Sequence, residues 1–91
     1  MISRAERRAA REPRVRATFG ERTDAALDLL ELTELAWHDC YAEITPPEEV
    51  VDEILELANG DLGALARAAR LAVTDWRDLK VAIAARRGRA P

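Results

Sequence analysis

DAALDLLELTELAWHDCYAEI, running from Asp24 to Ile44, decides the fold. The stretch contains neither Gly nor Pro, and every charged side chain in it is acidic. Ala26, Leu30, Thr33, Trp37, Cys40 and Ile44 follow a four-three repeat, and Leu27, Leu29, Leu32, Ala36 and Tyr41 widen that seam on both sides. The apolar arc covers more than half of a helical wheel. One neighbour needs a stripe of only about 100°, so the pattern predicts a central helix contacted from several directions. Asp24, Asp28, Glu31, Glu34, His38, Asp39 and Glu43 fill the remaining arc.

Outward from this helix, the composition agrees with an all-α fold. Ala, Leu, Arg and Glu dominate, and these are strong helix formers. Ninety-one residues make one domain that buries about 60–65% of its unfolded surface, so a thin core and self-association are expected. A single cysteine, Cys40, allows neither an intramolecular disulfide nor a cysteine-based zinc site. No apolar run approaches the ~20 residues that cross a bilayer, and no apolar stretch follows the Arg-rich start. A cytoplasmic protein without a membrane partner is the expectation.

The net charge of −3 hides strong segregation. Residues 1–20 carry six Arg against two Glu, residues 21–61 thirteen acids against one Arg, and residues 62–91 six Arg and one Lys against two Asp. The chain is basic, then acidic, then basic.

Three segments are expected: a basic N-terminal arm over 1–20, a helical domain over 21–87 and a flexible tail over 88–91. Ser3 and Glu6 have capping-box spacing and predict a short helix that Pro13 ends. Phe19 is the expected anchor of the arm. Thr18 with Glu21, or Thr23, caps the central helix. Thr45-Pro46-Pro47-Glu48 marks a stop and restart, with Thr45 as the capping hydroxyl. A short helix then runs to Ala58. Asn59-Gly60 ends it, and Asp61 caps a third helix. Leu62, Leu65, Ala69, Ala72, Trp76, Leu79 and Ile83 continue a three-four repeat, predicting one long helix to the end of the domain. The architecture is then a small helical bundle of two long helices joined by a short one. In that arrangement the third helix overshoots the first and leaves Trp76, Leu79 and Ile83 uncovered. A homodimer is the expected cover.

Candidate chemistry is sparse. His38-Asp39-Cys40 is no nucleophile pair, because residues 38 and 40 point about 200° apart on a helix. No catalytic residue is assigned. Glu48-Glu49-Val50-Val51-Asp52 resembles the EExxE helix of the all-alpha nucleotide pyrophosphohydrolases, whose metal site pairs it with an ExxD helix. The corresponding second half here reads Arg67-Ala68-Ala69-Arg70. Pairing Glu31-x-x-Glu34 with Glu49-x-x-Asp52 restores the order. The resemblance implies Mg²⁺ held by Glu31, Glu34, Glu49 and Asp52; apart from it, no cofactor is expected.

The Arg-rich arm gives a second alternative, nucleic-acid binding through residues 1–20. A helix-turn-helix centred on Gly60 would bury Glu56 and Asn59, which argues against that unit. Val73-Thr74-Asp75-Trp76-Arg77-Asp78-Leu79 surrounds a tryptophan with hydrogen-bonding and charged groups. The leading expectation is therefore a non-enzymatic interaction or regulatory module, dimeric, with an unknown protein partner contacting Trp76, Arg77, Leu79 and Ile83.

Overall fold

Ser3 starts the chain's first helix as its spacing predicts. Its hydroxyl accepts from the Glu6 amide and the Glu6 carboxylate accepts from the Ser3 amide, both at 3.1 Å. In the computed structural model, which describes residues 2–88, this helix does not stop at Pro13. Helix α1 spans Arg4–Phe19 with Pro13 inside it. Arg11, Val15 and Phe19 then share one buried face at four-residue spacing, and Pro13 lies on the exposed side. Docking of that face outweighs the lost amide. The expected arm is a full helix of the body.

A 3-10 turn, Gly20–Arg22, leads into helix α2, Thr23–Tyr41. Thr23 donates its hydroxyl to the Gly20 carbonyl at 2.5 Å. The remaining elements are α3 (Glu48–Ala58), α4 (Leu62–Thr74) and α5 (Trp76–Arg86). The chain is an all-α bundle, with no strand among the described residues. No helix of the described residues is long and apolar enough to cross a membrane. Residues 89–91 of the expected tail lie outside the described range.

The long third helix of the sequence reading is two helices. Asp75 is extended at φ −161° and ψ 108°, and its side chain caps α5 by accepting from the Arg77 amide at 3.0 Å. In an unbroken helix the Trp76 amide would bond the Ala72 carbonyl. Here the Tyr41 hydroxyl stands between them. It donates to the Ala72 carbonyl at 2.8 Å and accepts from the Trp76 amide at 3.2 Å. The turn at Asp75 lets α5 pack on both α4 and α3. Leu79 and Ile83 enter the core, at 0% and 3% exposure. The overshoot that called for a second copy does not occur.

Helix α2 is flanked by α1 and α4, whereas α4 touches α2, α3 and α5. The hub of the packing is thus α4. Its small residues, including Ala64, Ala68 and Ala72, let three neighbours approach closely. The α2 arc is only partly covered: Ala26, Leu27, Leu30, Thr33 and Trp37 are buried, while Leu32, Leu35 and Cys40 are exposed. At the other end of the bundle, Asn59 and Gly60 take positive φ values of 46° and 83°. A Cβ on Gly60 would lie 2.5 Å from the Thr18 carbonyl oxygen, so glycine permits the end of α1 to dock there.

Candidate functional site

Two clusters of polar and aromatic groups stand out, and they differ in what they can do. The first joins α1 to α2 and α3. Glu34 is buried on α2 and accepts from Arg7 Nε at 2.6 Å, Arg7 Nη2 at 3.0 Å and Arg11 Nη1 at 2.8 Å. The Thr45 hydroxyl donates to the same carboxylate at 3.0 Å and accepts from Arg11 Nη2 at 2.9 Å. Thr45 therefore serves this network instead of capping α3, whose N-cap position is Pro47 and carries no side-chain cap. Arg11 also reaches Glu48 at 2.7 Å, and Arg14 reaches both Glu48 and Asp52. Burial pushes the Glu34 carboxyl up, but its bonds from Arg7, Arg11 and Thr45 outweigh that and hold it below the usual carboxylate range. The Arg11 guanidinium, followed by partial burial acting the other way and by Arg14, holds Glu48 low as well.

Ion pairs engage all four carboxylates considered for Mg²⁺. Glu34 faces Arg7 and Arg11, Glu31 faces Arg8 at 3.4 Å, Asp52 faces Arg14, and Glu49 faces Lys80 at 2.9 Å. The four are spread over three separate ion-pair clusters. Among the described residues no group of three or more His, Cys, Asp or Glu side chains is placed to hold a metal ion. The arginines of the arm are engaged in the same pairs. Arg7, Arg8, Arg11 and Arg14 all point at carboxylates of α2 or α3. His38 and Cys40 are both exposed on α2.

The second cluster surrounds Trp76 at the α4–α5 break. Of the four residues assigned to a partner, Trp76 is 45% exposed and Arg77 is exposed, while Leu79 and Ile83 are core. Their burial follows from the break and corrects the picture of a bare helix end. Arg77 folds back on Asp75 through two bonds of 3.0 and 2.9 Å, tying the guanidinium to the helix cap. That guanidinium, with the Arg77 amide, holds the Asp75 carboxyl low.

Clefts lie on three sides of Trp76. One of about 270 Å³ is lined by Trp37, Tyr41, Pro47, Val50 and Trp76, with Glu43, Glu49 and Lys80 around it. A second of about 320 Å³ runs over Tyr41, Thr74, Asp75 and Arg77. A third of about 400 Å³ runs along Glu53, Lys80, Ala84 and Arg87. The Trp37 and Tyr41 rings lie 4.3 Å apart between centroids and tilt by 50°. The Trp37 indole donates to Glu43 at 3.3 Å, and Lys80 bridges Glu49 at 2.9 Å and Glu53 at 2.6 Å. Burial pulls the Lys80 ammonium down, and the two carboxylates outweigh it.

Trp37, Tyr41, Glu43 and Lys80 were not assigned to this surface from the sequence. The four-residue spacing of Trp37 and Tyr41 signals that their rings share one ridge, but the helix that meets the ridge is set by the break at Asp75. Comparison with known protein families, curated proteins and solved structures gives no match.

Proposed function

We propose that this chain is a small non-enzymatic interaction module whose contact surface is centred on Trp76. The observation that carries the reading is a half-exposed tryptophan with its backbone anchored by Tyr41 and recesses on three sides. Large aromatic side chains held rigidly at a surface lose little entropy on binding and dominate interface energetics. The clustered carboxylates and arginines neutralise one another across helices, which supports a structural role for them.

A photo-crosslinking amino acid at position 77 tests the reading. The expected product is a saturable adduct with one protein, displaced by unlabelled chain and absent when Trp76→Ala is added. An adduct insensitive to Trp76→Ala, with the variant folded by circular dichroism, overturns it.

Self-association is a second reading, favoured by Leu32 and Leu35, which lie side by side on α2 at 60% and 47% exposure. Sedimentation at tens of micromolar is expected to give a dimer that Leu32→Glu with Leu35→Glu dissociates. A monomer there overturns the dimer and leaves the Trp76 surface untouched.

A further inference from the structure

The cleft between Trp37, Tyr41 and Trp76 has a chemistry that selects among side chains. Its walls are aromatic and apolar, with Pro47 and Val50 completing them. Its charged neighbours are unbalanced. Glu43 and Glu49 line the cleft, Glu53 stands behind it, and the Lys80 ammonium already bridges Glu49 and Glu53. Two carboxylates thus share the one ammonium, and Glu43, which accepts from the Trp37 indole, is a third. On the far side of Trp76, Arg77 and Asp75 neutralise each other, and Arg87 pairs with Glu56. Glu43 is also oriented: its carboxylate accepts from the Trp37 indole at 3.3 Å, which fixes it at the rim.

Resting on the reading of Trp76 as the contact surface, we infer that this cleft takes an arginine side chain of the protein partner. A guanidinium is planar and weakly hydrated, so it stacks on an indole face while its edge hydrogen-bonds a carboxylate. Glu43 supplies that carboxylate and Trp76 the exposed aromatic face. The volume of about 270 Å³ accommodates one long side chain and excludes a folded segment. A neutral side chain of the same shape would leave the negative excess uncompensated.

Nuclear magnetic resonance of the two indole N–H groups tests this directly, because Trp37 and Trp76 are the chain's two tryptophans. The probe is N-acetyl-arginine methylamide; the controls are the citrulline analogue, which is isosteric and neutral, and the lysine analogue. Saturable shifts of both indole signals are expected at about millimolar affinity, with the citrulline analogue at least about tenfold weaker. Glu43→Gln keeps an acceptor for the Trp37 indole and removes the charge, and is expected to weaken the arginine probe about tenfold. Equal shifts from citrulline, equal binding of lysine, an unaffected Glu43→Gln variant or no shift by the arginine probe would each overturn the assignment. In any of those cases a Trp76-dependent adduct at position 77 still stands, so the two readings fail separately.

Discussion

Glu34 shows how one residue determines whether a charged helix docks. Both Glu34 and Arg11 are almost fully buried, at 2% and 3% exposure, and no buried side-chain nitrogen or oxygen among the described residues lacks a partner. Removing one member of such a pair leaves the others charged and desolvated. Glu34→Gln is therefore expected to cost about 3–5 kcal/mol in chemical denaturation, while replacing the whole group, with Arg7→Met, Arg11→Met and Glu34→Leu together, costs far less. The folded Glu34 and Glu48 carboxyls lie below the value of 4.5 they relax to on unfolding. Their contribution is present above about pH 4.5 and is lost as pH falls through the folded values. Stability measured against pH should be nearly flat from neutrality to about 5 and fall steeply below about 4.5, with a shallower acid limb in Glu34→Gln. Tyr41 acts at the same scale. Tyr41→Phe leaves the Ala72 carbonyl and the Trp76 amide without their bridge, and the expected loss is about 1–3 kcal/mol in thermal or urea unfolding. A change of a few tenths would mean that the Asp75 cap holds the break unaided.

At the scale of elements, α1 and the α4–α5 pair depart from the sequence reading in opposite directions. A proline was expected to end α1, and the helix continues through it because Val15 and Phe19, four and eight residues after Arg11, bury together on one face. Local propensity there is overruled by packing. Pro13 is exposed on the outer face, so Pro13→Ala restores an amide donor and is expected to stabilise the protein by about 1–3 kcal/mol in urea denaturation. An unchanged midpoint would mean that the neighbouring turns already relieve the proline. In α4–α5 the apolar repeat runs unbroken through Trp76, yet the backbone turns at Asp75. The repeat reports which residues are apolar; it is silent on whether the two halves form one rod. The signal available in sequence was Thr74-Asp75, a poor helix-interior pair in which the aspartate is a strong cap.

For the whole molecule, the segregated charge is settled within one chain. The basic α1 lies across the acidic α2 and α3, and Lys80 and Arg87 of the C-terminal part meet Glu49, Glu53 and Glu56 of α3. This arrangement makes α1 part of the body. Deleting residues 1–19 would strip Glu34 of Arg4, Arg7 and Arg11 and uncover the faces that receive Val15 and Phe19. The expected outcome is loss of a cooperative thermal transition by circular dichroism. A transition matching that of the full chain would instead establish residues 21–87 as an independent domain.

The all-α class, the caps at Ser3 and Asp61 and the turn at Asn59-Gly60 were all legible from residue types and spacings. These depend on local backbone chemistry, and neighbours within a few residues decide them. The candidate site was legible only at Trp76 and Arg77. Trp37, Tyr41, Glu43 and Lys80 come from α2, the following loop and α5, and only the fold brings them together. The Asp24–Ile44 stretch is a long helix that stops at Tyr41, and tertiary structure decided that it is only partly covered, that α4 is the hub and that Leu32, Leu35 and Ile44 stay bare. Tertiary structure also paired the acidic arc with the arm. Long-range contacts depend on which faces meet, and one backbone turn at Asp75 redirects a whole helix.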